Sequence, residues 1–137
     1  MKRTGQIGQA QREKLRARSL GLCELCGREW ATNWHHRKNR SQGGTNDLSN
    51  ALHLCGSGTT GCHGMVTEHP IEAFDNGWSV RSRFVPAETP VKRQGLWVFL
   101  DDHGCVIPVK ETAYMGLPWV RLDTQFANNP KVVELVA

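Results

Sequence analysis

The chain has 137 residues, 39% hydrophobic and 22% charged, with a formal net charge of +4, enough material for one compact domain or for a small metal-stapled one with extensions. No apolar run approaches the length of a membrane span, and the basic N-terminus is not followed by the apolar stretch of a secretory signal, so a soluble, cytoplasmic protein with reduced cysteines is expected. Charge is uneven: up to Arg40 ten basic residues stand against three acidic ones, a balance of +7, and the remainder carries −3.

Residues 1–8 read as a flexible arm, and Gln9–Ser19, rich in strong helix formers, as a helix stopped by Gly21. A Cys23-x2-Cys26 turn follows. Residues 34–37 are predicted as a first strand, 41–47 as a glycine-rich loop and Ala51–Leu54 as a second strand. Helix is expected over 62–75, interrupted at Pro70. Further on, residues 78–83 alternate apolar and basic side chains like a strand, and GLWVFLDDHGCVIPV reads as a hairpin turning at 101–104. Cys105, in its second arm, reads as an ordinary small apolar residue. Residues 117–137 read as a strand, an NNP turn and a short helix. The chain thus divides into a basic arm and helix (1–20), a motif-bearing core (21–77) and a β-rich extension (78–137).

Cys23, Cys26, Cys55 and Cys62 are a paired-thiolate set suited to Zn2+, which structural sites close off tetrahedrally. The first pair shares one tight turn. The second flanks GSGTTG, whose glycines let the loop double back. The alternative, buried or disulfide-bonded cysteines, fits less well with this spacing and the lack of a secretory signal. Woven through the thiols are His35, His36, Asn50 and His63. Adjacent strand residues face opposite sides, so His35 and His36 are not expected to be equivalent ligands of one ion. His53 reads as a packing or phosphate-facing residue and His103 as a solvated turn residue. His69 is open between an extra ligand and an idle ring.

The order of the His35-His36 pair, the SQGGTNDLSN turn leading to Asn50, the ALHLC strand and the Cys62-His63 pair resembles the HNH endonuclease family, the ββα-metal or His-Me finger nucleases. The resemblance spans residues 23–66. It is nearest in flavour to small HNH proteins of tailed bacteriophages, in which a zinc-bound cluster of four cysteines supports the motif. It implies an α+β fold with a strand, loop, strand, helix core, and a metal-dependent endonuclease acting on double-stranded DNA in a bacterial host cytoplasm. By the same resemblance His36 is the general base, Asn50 ties the intervening loop and so holds His36, and His35 and His63 bind a catalytic Mg2+, Mn2+, Ni2+ or Zn2+. A place beside the phage terminase is a further implication. The family often carries another histidine one helical turn after His63, where this chain has Thr67. From Met115 the tail faintly resembles the opening of a separate class of phage proteins.

The chemistry accounts for these residue types. Phosphodiester hydrolysis needs a base for water, positive charge for the phosphorane and help for the departing 3′-oxygen; imidazole suits the base because it ordinarily titrates near neutral pH. Arg37, Lys38 and Arg40 directly follow the histidine pair and are expected to contact DNA phosphates, since a polyanion is the natural partner of the basic half. The competing expectation is a zinc-stabilised DNA-binding module without cleavage. The presence of His36 favours the enzyme, because a purely structural module needs thiolates and no base.

Overall fold

The computed structural model describes residues 5–109; the elements expected over 117–137 lie outside them. Helix α1 spans Gln9–Ser19. It ends where Leu20 takes a left-handed φ of 58° and returns its N–H to the Arg16 carbonyl, with Gly21 continuing the reversal. Strand β1 (Asn33–His36) pairs antiparallel with β2 (Ala51–Leu54), placing Trp34 opposite His53, His35 opposite Leu52 and His36 opposite Ala51. Side chains alternate across this ribbon. Ala51 joins Leu15 of α1 and Leu48 on one side, with Trp34 packed against them, and Leu52 and Leu54 enter the main core on the other.

The long helix expected over 62–75 is two helices, α2 (Gly61–Glu68) and α3 (Pro70–Asp75), joined at His69. Pro70 starts the second because it disfavours helical geometry in the residue before it. A three-stranded antiparallel sheet completes the described residues, with β3 (Val91–Arg93), β4 (Leu96–Leu100) and β5 (Val106–Pro108) in that order. The β4–β5 turn falls at the expected place, where the Asp101 carboxylate accepts the N–H groups of His103 and Cys105.

Three expectations are corrected. Residues 78–83 form no strand; Trp78 Nε1 donates to the Lys92 carbonyl and the Val80 N–H to the Arg37 carbonyl, both at 2.8 Å, so the segment's polar groups are met singly and not by a ladder. The strand beside β4 is instead β3, whose three residues are too few to show alternation in the sequence. Cys105 is exposed and free at the end of the turn, not packed in a hairpin arm. Strand β1 ends at His36, one residue early, and the Arg37 side chain turns inward to carbonyls of three other segments.

One buried cluster contains Cys23, Leu52, Leu54, Cys55, Val66, Ala73, Val91, Val98 and Leu100. The motif-bearing segment and the following sheet therefore share a single core. A buried ionic group ties the N-terminal helix to both. Glu24, with no solvent exposure, accepts from Arg18 Nε and Nη2 at 2.9 and 2.8 Å and from Arg93 Nε at 2.9 Å. Arg18 also reaches the Leu48 and Ala51 carbonyls at 2.8 and 2.6 Å. Burial alone would raise the Glu24 carboxyl, but the Arg18 charge and hydrogen bond, the His53 N–H and Arg93 hold it below its ordinary value.

A carboxylate with a lowered folded pKa contributes its full stabilisation above the unfolded value of about 4.3 and loses it as pH falls through the folded value. Glu24→Gln should cost about 3–5 kcal/mol at neutral pH, because it strands the buried Arg18 charge. The gap between wild type and variant in urea unfolding should narrow at about pH 3, below the unfolded value. A gap of equal size at both pH values would contradict the assignment.

Candidate metal centre and catalytic site

The Sγ atoms of Cys23, Cys26, Cys55 and Cys62 all lie within 4.8 Å of one another and form no disulfide. Zn–S bonds of about 2.3 Å place tetrahedral sulfurs about 4 Å apart, so the four are positioned to hold a metal ion. The sequence brings them there by two loops. The Gly27 N–H closes the first on the Cys23 carbonyl at 2.8 Å. In the second, a Cβ on Gly56 would lie 2.0 Å from the Thr60 carbonyl oxygen at a φ of +88°, which only glycine accommodates.

Burial raises Cys55 and Cys62, and the neighbouring Cys23 adds to the rise. Burial opposes ionisation of Cys26 too, yet the backbone N–H groups of Arg28 and Glu29 bring it down to about 6. One thiol is poised to ionise among neighbours that resist further negative charge, and a divalent ion removes that conflict.

Cys62 and His63 are neighbours in the first turn of α2, so one helix start supplies both the thiol cluster and a histidine pair. The His63 and His35 rings lie 5.4 Å apart at 64°. His35 Nε2 is 2.8 Å from the Trp78 carbonyl, which can only accept. The ring therefore carries Nε2–H, and its Nδ1 holds the lone pair. Burial, with the nearby His63, His36 and Arg37, pushes His35 down to about 4 against the Trp78 hydrogen bond, keeping it neutral and able to ligate. Among the described residues His63 Nδ1 is buried without a hydrogen-bond partner, and burial lowers its pKa as well. The donor set suits a divalent metal through two imidazole nitrogens.

His36 lies beside Trp34, with ring centroids 6.2 Å apart, and its Nε2 is 2.8 Å from Asn46 Oδ1. Asn50 ties the loop as expected: its Oδ1 accepts the Lys38 N–H at 2.7 Å, and its Nδ2 donates to the Lys38 and Thr45 carbonyls at 3.1 and 2.9 Å. The side chain that touches His36 is Asn46. No sequence pattern marked it, because the contact is made across a folded loop.

Arg37 is not a phosphate contact. It is 1% exposed, and its guanidinium donates to the carbonyls of Gly77, Ser49, Pro86 and Thr89 at 2.8, 2.8, 3.1 and 2.7 Å. Burial lowers its pKa to about 9, so it stays charged near neutral pH. Arg40 is exposed and Lys38 half-buried, the latter with Nζ donating to the Ser82 carbonyl at 3.0 Å. That hydrogen bond ties Lys38 to the segment that carries exposed Arg81 and Arg83, whose guanidinium groups lie 4.2 Å over the Phe74 ring and 5.0 Å over the Phe84 ring. His53 packs through Nδ1 on Ser19 Oγ at 2.7 Å. His69 and His103 are exposed.

Comparison of the chain with protein-family models, curated proteins and solved structures gives no match. Among the described residues no helix is long and apolar enough to cross a membrane.

The thiol cluster should make folding metal-dependent, since binding energy at such a site appears as folding energy. Native mass spectrometry should find about one Zn2+ per chain, and Cys23→Ser should lose cooperative thermal unfolding. Well-folded protein without metal would contradict the assignment.

Proposed function

We propose that the chain is a metal-dependent HNH-type endonuclease that hydrolyses DNA phosphodiester bonds, with β1, the 37–50 loop, β2 and α2 as its ββα-metal core. One observation carries the reading: the buried, unpartnered Nδ1 of His63 next to a His35 ring whose other nitrogen is committed to Trp78. A structural zinc module needs the thiols; it has no use for a second pair of lone pairs beside a third histidine.

In this reading His35 and His63 hold a divalent ion, which when bound stabilises charge on the scissile phosphate and the departing oxygen. His36 accepts the proton of the attacking water as the water oxygen bonds to phosphorus. The P–O3′ bond then breaks, and the 3′-oxygen takes its proton from solvent. Asn50 holds the loop that carries Lys38 and Arg40, and these, with Arg81 and Arg83, bind backbone phosphates without reading sequence. The resemblance to phage proteins makes the terminase the proposed partner in packaging.

His36→Ala should bind DNA nearly as well as wild type and cleave supercoiled plasmid about 10²–10⁴-fold more slowly, the usual contribution of a general base. EDTA should abolish cleavage without unfolding the thiol cluster, Mg2+, Mn2+ or Ni2+ should restore it, and His63→Ala should imitate EDTA. Full activity of either variant would remove that residue from its role. Wild-type protein that binds DNA yet cuts it with none of these ions would leave the zinc-stabilised binding module as the function.

Replacing Lys38 and Arg40 with alanine should weaken binding to unrelated DNA sequences about equally. The slope of log affinity against log salt should become shallower by roughly one unit for each DNA phosphate that is no longer neutralised. An unchanged slope would place the DNA elsewhere on the protein.

A further inference from the structure

We propose that Asn46 is the positioning residue of His36, holding its neutral ring as the Nε2–H tautomer with the Nδ1 lone pair free, and that α1 sets Asn46 in turn through Gln11. The role in cleavage rests on the nuclease reading above; the tautomer does not.

His36 Nε2 and Asn46 Oδ1 are 2.8 Å apart. An amide oxygen only accepts, so the imidazole must donate there, and a neutral ring with its one proton on Nε2 has its lone pair on Nδ1. On the other side of Asn46, Nδ2 lies 3.5 Å from the Gln6 carbonyl, an acceptor, which agrees with the amide oxygen facing the ring.

The backbone of Asn46 is held as well. Gln11, on α1, donates from Nε2 to the Asn46 carbonyl at 2.7 Å across 35 residues of sequence. Loop shape makes the approach feasible, because Gly44 passes so close to the end of β1 that a Cβ there would lie 1.8 Å from the Lys38 carbonyl oxygen. Asn50 does a separate job within the same loop, bonding Lys38 and Thr45. The two asparagines therefore divide the work: one shapes the loop and the other orients the base.

A catalytic base displaced by about 1 Å can lose about a hundredfold in rate, which sets the expected size of the effect. Long-range proton–nitrogen NMR of the full-length protein in mildly alkaline buffer should show His36 protonated on Nε2. Asn46→Leu, of similar volume and without an acceptor, should give a mixture of tautomers, whereas Asn46→Asp should keep Nε2–H. In plasmid cleavage Asn46→Leu should lower kcat about 10–100-fold with KM for DNA unchanged, Asn46→Asp should recover most of it, and Gln11→Ala should fall between.

Thermal unfolding and zinc content serve as folding controls, and Asn46→Ser replaces Asn46→Leu if the latter unfolds. A wild-type ring protonated on Nδ1, a folded Asn46→Leu with wild-type kcat, or an Asn46→Leu defect confined to KM would each overturn the proposal. Wild-type protein with the expected tautomer and no cleavage would instead sink the nuclease reading, and with it the role of Asn46 in cleavage.

Discussion

Four sulfurs within 4.8 Å of one another draw together the turn before β1, the end of β2 and the start of α2, and most of the site's geometry follows from that gathering. Thiols at this spacing are positioned to hold a metal ion, which would relieve the repulsion among their thiolate forms. Because Cys62 precedes His63 on the same helical turn, fixing the cluster also fixes the depth and direction of His63. The zinc-type site and the histidine pair are in that sense one mechanical unit with two chemical ends.

Among the described residues two buried cations, Arg18 and Arg37, tie further segments to this unit. Arg18 meets a carboxylate and two carbonyls; Arg37 meets four carbonyls from three separate segments. A guanidinium presents five donors in a fixed plane and stays charged when buried, so it can satisfy irregular backbone that no ladder reaches. Each supplies donors to main-chain oxygens of short turns and chain segments between the longer elements, or at the start of β2. The segment after α3 is held in this way, and it places the Trp78 carbonyl on His35.

The histidine site is built from supports on opposite sides. His35 is oriented by Trp78, from the C-terminal side of the chain, and His36 by Asn46, from a loop braced by α1. Neighbouring rings on one strand thus answer to different parts of the fold, as expected where alternation sends them to opposite faces.

Sequence by itself determined the elements with strong local causes. The helix formers of Gln9–Ser19, the reversal at Gly21, the break at Pro70 and the Asp101–Gly104 turn are decided by propensity and backbone restriction within a few residues. Cysteine spacing likewise marked all four sulfurs, because ligand pairs must sit on short turns. Tertiary structure alone decided the rest. The pattern that made Arg37 look like a phosphate contact says nothing of direction, and burial reversed its role. Strand β3 is three residues long and exists because β4 offers it an edge. Asn46 and Trp78 meet the histidine pair from other parts of the chain, and loop closure, not local preference, brings them there.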